Sequence, residues 1–336
     1  MAELSVEVPA ALTARLARLG VGGLEPLTGG ASSLTYHGVL DTRPVVVKVA
    51  PAGVTPVAHR DVLRQARLLK ALQGSDVPVP HVVLEDPGDP PDIPPLFAMT
   101  LLDGECVEPL FDVHADLPSG GTVAARFRGA AAVLARLHRV DPAAVGLGDE
   151  PVLDPSDEVE RWSRTLETVD QALVPGWPET RSLLQATLPA PARPAIVHGD
   201  FRLGNLLAVG PEITAVIDWE IWSLGDPRID LGWFLINSDP QTYRRPVPDL
   251  PVPRTTDLIA VYRAESGGTV EDLEWFCALA CFKSAATWSL IIKHNRRRHA
   301  PDPDLEAMGA ALPRLLARAQ KLIEAARRAG RDRPPR

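Results

Sequence analysis

His198-Gly199-Asp200-Phe201-Arg202-Leu203-Gly204-Asn205, answered downstream by Ile217-Asp218-Trp219-Glu220, is the densest polar cluster in the chain. Around it the sequence turns β-prone. Asp200 follows the apolar run Ala195 to Val197, Asn205 opens Leu206 to Val209, and Asp218 closes Ile213 to Ile217. Gly210-Pro211 between the last two runs is a turn signal, so they read as a hairpin. A hairpin returns Asp200, Asn205 and Asp218 to one end of this β island. Three oxygen-bearing side chains gathered there are expensive to hold without a ligand.

Outward from the island, helical periods take over. Thr122 to Arg139, Glu158 to Leu173 and Glu179 to Leu188 precede it, and helices resume from Pro227, Asp257, Glu271 and Asp304. Asp226-Pro227 reads as a cap with Pro at the first helical position. Ahead of Gly104 the pattern differs. Ala10 to Leu19 is a short helix, then Leu24 to Leu27, Leu34 to Leu40 and Pro44 to Val49 read as strands. Ala58 to Leu72 reads as a helix, a Pro- and Asp-rich loop runs from Asp86 to Pro95, and Leu96 to Leu102 is an apolar strand. The expectation is an α+β fold of two unequal lobes, a small β-rich one over residues 1–102 and a large, mostly helical one over 103–336 holding a single hairpin.

Bulk composition narrows the classes. The chain has 336 residues, 45% hydrophobic and 23% charged, and a net charge of −8, which counts against nucleic acid as a partner. The charge is uneven: Lys283 to Arg336 holds 13 Lys/Arg against 5 Asp/Glu, a local excess of +8. Three cysteines make no disulfide framework and suit a reducing compartment. Cys277 and Cys281 stand one helical turn apart, and without partners at ligand spacing they read as apolar thiols. The N-terminus shows no signal-peptide pattern and no run reaches the ~18 apolar residues of a membrane span. A cytoplasmic protein without a membrane partner is expected; no feature speaks to oligomeric state.

Phosphoryl transfer needs a carboxylate to orient a hydroxyl and oxygen ligands for the magnesium ions that neutralise phosphates. Asp200, Asn205 and Asp218 supply those types. Metal-dependent phosphoesterases also use Asp and Asn, but typically add a D-x-H segment and a His after the Asn, where Leu206 stands. In the front region Gly29, Gly30, Ser32 and Ser33 lie between strands, where glycines allow close approach to phosphates and serines can donate to them. Lys48 follows Ser33 by fifteen residues within an apolar strand, and there it either snorkels to solvent or meets an anion.

The pattern H-G-D-x-x-x-x-N, with Ile217-Asp218-Trp219 thirteen residues after the Asn, resembles the aminoglycoside phosphotransferase family and the wider kinase-like superfamily. Among these it is most similar to the branch found as stand-alone kinases and fused to acyl-CoA dehydrogenases. The resemblance runs from about Gly22 to Asn295. It implies a two-lobed protein-kinase-like fold using ATP and Mg²⁺ on a small hydroxylated acceptor, with Asp200 as catalytic base, Asn205 and Asp218 on metal, and His198 and Asp230 supporting the loop. It further implies that Lys48 holds phosphates and that Met99, Thr100 and Leu102 form the adenine-reading hinge. The family's usual Glu partner for the lysine is replaced by Gln65, and Asp61, one turn earlier, is the other residue that could reach inward. Two further readings accompany it: an aminoglycoside-type antibiotic kinase, and a nucleotide-binding module with little turnover. The late basic excess, including Arg296-Arg297-Arg298, argues for a neutral or anionic acceptor such as a hydroxyacyl compound.

Overall fold

Alternation along Arg43–Val49 organises the front of the molecule. Val45, Val47 and Val49 are buried on one face of the strand, while Val46 and Lys48 point to the other. The computed structural model describes residues 8–27, 33–111, 117–244 and 251–331. Five antiparallel strands, β1 (Val21–Pro26), β2 (Leu34–Leu40), β3 (Arg43–Val49), β4 (Val82–Asp86) and β5 (Leu96–Thr100), form a sheet in the order β1-β2-β3-β5-β4. Helix α1 (Ala10–Arg18) covers the Val45/Val47/Val49 face through Leu16, together with Tyr36, Leu96 and Ala98. The opposite face, which carries Lys48, Phe97 and Met99, is covered by Val62, Ala66, Leu69 and Leu72 of α2 (Val62–Leu72).

Two local readings change here. The helical stretch from Ala58 is broken: residues 58–60 form a 3₁₀ turn, and α2 starts only after Asp61. The Asp61 carboxylate accepts the N–H groups of Leu63 and Arg64, so it caps the helix and does not reach inward. Strand β4 is the second change. Its five residues sit at the sheet edge, where flanking prolines cost no ladder bonds and mask the strand in the sequence.

Beyond β5 the chain becomes helical: α3 (Gly120–Arg139), β6 (Val152–Leu153), α4 (Pro155–Leu166), α5 (Trp177–Gln185), β7 (Ala195–Val197), β8 (Leu206–Val209), β9 (Glu212–Val216), β10 (Ser223–Gly225), α6 (Arg228–Asn237), α7 (Thr255–Ser266), α8 (Leu273–Asn295), α9 (Pro303–Ala307) and α10 (Leu312–Arg331). β8 and β9 are the expected hairpin. They are joined by a second, three-stranded sheet in which β10 lies between β6 and β7. Strands of two and three residues are too short to leave a period in the sequence.

Helix α8 is the axis of the large lobe, packed against α4, α6 and α10. It corrects the expectation that no run reaches membrane length. Its 23 residues are long and apolar enough to cross a bilayer by composition, yet 72% of the apolar window is buried inside the protein. Core burial, here around Phe276, Phe282 and Ile292, demands the same composition.

Candidate active site

The site is built on the turn His198-Gly199-Asp200, directly after β7. Gly199 has φ +86°, and a Cβ there would stand 2.7 Å from the Ile221 carbonyl, so only glycine fits. The turn is held from below by Asp230 on α6, whose buried carboxylate accepts the N–H of His198 at 2.6 Å and of Gly199 at 2.9 Å. Burial pushes the Asp230 carboxyl up. His138 and the His198 N–H outweigh it, leaving the group below the usual carboxylate range. His198 links two segments: its Nδ1 accepts the Asp200 N–H at 3.1 Å, and its Nε2–H donates to the Ile217 carbonyl at 2.9 Å. Those two bonds assign the neutral Nε2–H tautomer and place Asp218 beside Asp200.

Asp200 Oδ1 accepts the Trp233 indole N–H at 2.8 Å, and Oδ2 accepts Asn205 Nδ2 at 2.8 Å and Arg202 Nε at 3.4 Å. Asn205 Nδ2 also donates to the Asp200 carbonyl, so both its neighbours are acceptors and the amide nitrogen must lie there. Its Oδ1 is left with coordinating capacity. Asp218, at the end of the hairpin, adopts a left-handed φ of +65°, a costly conformation for a residue with a Cβ. Its Oδ1 accepts Lys48 Nζ at 3.2 Å. Lys48, 9% exposed, does not snorkel outward; it also donates to Gln65 Oε1 at 3.3 Å. Gln65 is buried, and its Nε2 has no hydrogen-bond partner among the described residues. The cleft thus joins a front strand, α2, the loop after β7 and the loop after β9.

The remaining sequence candidates distribute unevenly. Ser33 is buried at the start of β2, whereas Gly29, Gly30 and Ser32 lie outside the described residues. Met99 pairs with Val46 in the sheet. The Thr100 N–H and Oγ1 are both bonded to the His81 backbone, while the Leu102 N–H takes no backbone partner among the described residues. A D-x-H triplet, a phosphoesterase feature, does occur at Asp112-Val113-His114, also outside the described residues. Among the described residues, no three His, Cys, Asp or Glu side chains gather as a metal set.

Sequence reasoning missed what lies behind and beside Asp200. A cavity of about 310 Å³ opens there, walled by Asp200, Arg202, Glu108 and Trp233 at one end and by Phe111, Tyr243 and Trp288 at the other. Phe111 stacks on Trp288 at 5.7 Å, with Tyr243 edge-on to both. The Tyr243 hydroxyl is spent on Asn237 and Ser284, so the ring is what it offers the cavity. Glu108 accepts the Gly204 N–H at 3.0 Å and lies 3.6 Å from Arg202. Lys283, counted above in the late basic excess, is not a surface charge at all. It is 4% exposed on α8 and donates to the Gly199 carbonyl. A signal existed: it is the one charged residue between Trp275 and Ile292. The arginines, by contrast, are remote. Arg296 pairs with Asp170 and Glu306, Lys293 donates to the Thr168 carbonyl, and no residue from 293 to 298 lines the cavity.

Comparison with known proteins gives a consistent result. Residues 23–257 match the model of the phosphotransferase enzyme family. Acyl-CoA dehydrogenase family member 10 of Mus musculus is 28% identical over 300 residues, covering 83% of this chain and 27% of its own length. Acyl-CoA dehydrogenase family member 11 of Gallus gallus is 26% identical over 290 residues, covering 79% and 36%. The chain therefore spans about a third or less of these relatives. In fold it is similar to a Ralstonia eutropha protein classed with the aminoglycoside phosphotransferases, with a TM-score of 0.75 at 23% identity over 94% of this chain and 98% of that one. The macrolide 2'-phosphotransferase MphH of Brachybacterium faecium superposes with a TM-score of 0.59 at 22% identity, covering 90% and 98%.

Proposed function

Because this chain belongs to the phosphotransferase enzyme family, we propose that it transfers the γ-phosphate of ATP, taken as its magnesium complex, to a hydroxyl of a small molecule. The observation that carries the reading is the convergence of Lys48, Asn205 and Asp218 on the cleft that Asp200 borders, with Lys48 and Asp218 3.2 Å apart across 170 residues of chain. In this reading residues 1–102 form the nucleotide lobe, with Gly29, Gly30, Ser32, Ser33, Lys48 and the Met99–Leu102 backbone holding ATP. Residues 103–336 form the catalytic lobe.

The donor set fits magnesium. An amide oxygen from Asn205 and a carboxylate from Asp218 are hard ligands, and two protein ligands leave room for the phosphate oxygens and waters that Mg²⁺ keeps. Bound there, the ion neutralises charge on the phosphates. The chain's own residues do the rest. Lys48, already oriented by Gln65, exchanges its Asp218 contact for a phosphate oxygen. Asp200, fixed at both carboxylate oxygens, accepts the hydrogen of the acceptor hydroxyl and directs its lone pair at the γ-phosphorus. Arg202 Nε, 3.4 Å from Asp200 Oδ2, helps to hold that orientation.

The cavity beside Asp200 supports a compact acceptor. Its volume lies at the small end of the ~300–1,000 Å³ of small-molecule sites, and its far wall is aromatic. A polycation needs several carboxylates; here Glu108 and Asp200 are both partnered by Arg202. We therefore favour an uncharged or anionic alcohol, of which a hydroxyacyl compound is one kind, over an aminoglycoside. The test is ADP release with Mg·ATP against kanamycin and against a panel of hydroxy acids and their thioesters. Transfer to the hydroxy compounds, reduced at least ~100-fold in Asp200→Asn with Mg·ATP affinity retained, is expected. Wild-type turnover in Asp200→Asn refutes the catalytic assignment, efficient use of kanamycin refutes the acceptor class, and nucleotide binding without any Asp200-dependent turnover leaves only the binding-module reading.

A further inference from the structure

Helix α8 is apolar from Trp275 to Ile292 except at Lys283, and nothing about packing requires an ammonium there. A buried charge costs several kcal/mol unless its surroundings compensate. No carboxylate lies within ion-pairing distance of it among the described residues. What Lys283 touches instead is the machinery around Asp200. Its Nζ donates to the Gly199 carbonyl and sits 4.1 Å from the centroid of the Trp233 ring, with Trp162 on another side at 5.3 Å. Burial depresses its pKa, and the more distant charges of Asp200, Glu158 and Asp230 oppose that shift.

These contacts converge on one residue. The Gly199–Asp200 peptide is gripped at both ends, its carbonyl by Lys283 and its N–H by His198. The Asp200 side chain is gripped by Trp233, whose indole N–H donates to Oδ1 at 2.8 Å and whose ring lies against the Lys283 ammonium. The lysine therefore fixes the backbone leading into Asp200 directly, and its carboxylate through the tryptophan. We propose that Lys283 is a positioning residue: through the Gly199 carbonyl and the Trp233 ring it sets the direction in which the Asp200 carboxylate faces the acceptor. The assignment rests on the reading of Asp200 given above. It uses α8, the long helix packed against α4, α6 and α10, as the reference frame for the reacting group.

Two variants and two readouts test it. Lys283→Met removes charge and donor at similar length, and Trp233→Phe keeps a ring but removes the indole donor. With Mg·ATP and water as acceptor, both should lower the ADP-release kcat at least about tenfold while the KM for Mg·ATP stays constant. The second readout needs no turnover. The Trp233 indole N–H resonance, identified by its loss in Trp233→Phe, should shift in Lys283→Met if the lysine sets the Trp233–Asp200 bond. Because that shift is read without catalysis, it separates this proposal from the phosphotransfer reading, which stands or falls on Asp200→Asn. A folded Lys283→Met protein with an unmoved indole resonance overturns the positioning role. So does native kcat in Trp233→Phe, which remains informative if Lys283→Met does not fold.

Discussion

Asp230 shows how one buried carboxylate couples stability to the site. It holds two adjacent N–H groups of the loop that ends in Asp200, and its pKa lies below that of a free Asp. A depressed folded-state pKa stabilises the protein above the unfolded value of about 3.9 and loses that contribution as pH falls through the folded value. Asp230→Asn can accept only one of the two N–H groups and turns an amide donor toward the other. We expect it to cost about 3 kcal/mol at neutral pH and to flatten the acid limb of the melting-temperature profile, as read by calorimetry from pH 7 to 3. An unchanged acid limb would mean that the loop carries no titrating restraint. At this scale the sequence was most informative about residue types and least about their partners. His198, Asp200, Asn205 and Asp218 stand out by clustering, and Gln65 by position. Trp233 and Lys283 look like wall and surface charge until α6 and α8 are brought against the loop.

Among the elements, α2 connects the two lobes. Its residue Gln65 meets Lys48, and one position earlier Arg64 reaches across to the large lobe. Arg64 donates to the Trp222 carbonyl at 2.9 Å and to Glu150 at 2.8 and 3.0 Å, and lies 3.9 Å from the centroid of the Trp222 ring. Trp222 is four residues past Asp218, so this bolt fixes the distance between the Lys48 and Asp218 sides of the cleft. Arg64→Ala should destabilise by about 2 kcal/mol and raise the KM for Mg·ATP more than it lowers kcat. Faster amide exchange confined to α2 would locate the effect, and a KM equal to the native value would show that the bolt does not govern the cleft. Helices were visible in the sequence because a 3.6 period runs over three or more turns. The edge strand β4 and the short β6 and β10 were not, since they form only by pairing with segments far away in the chain.

On the scale of the whole molecule, the distribution of charge and of apolar length misled in the same way. The basic excess after Lys283 suggested a surface for the acceptor, yet it divides into a buried lysine, a solvent-side ion-pair network at Arg296, and arginines of α10. Helix α8 has the composition of a membrane span but is the core of a folded lobe. Counts along the chain cannot register which surface a residue will meet; the fold does.

The placement of the three thiols has a practical consequence. Cys106 is exposed a few residues past β5, while Cys277 and Cys281 lie on α8, the first partly covered and the second buried. Burial pushes the Cys277 and Cys281 thiols to about 12. Since the thiolate is the reacting form, alkylation of Cys106 should accelerate about tenfold per pH unit above neutrality. Mass spectrometry should show Cys106 modified first, Cys277 more slowly, and Cys281 only in molecules whose large lobe has opened; early loss of the Cys281 thiol would contradict the packing of α8. The native chain thus carries its own chemical clock, with one hand beside the cleft and another at the centre of the core.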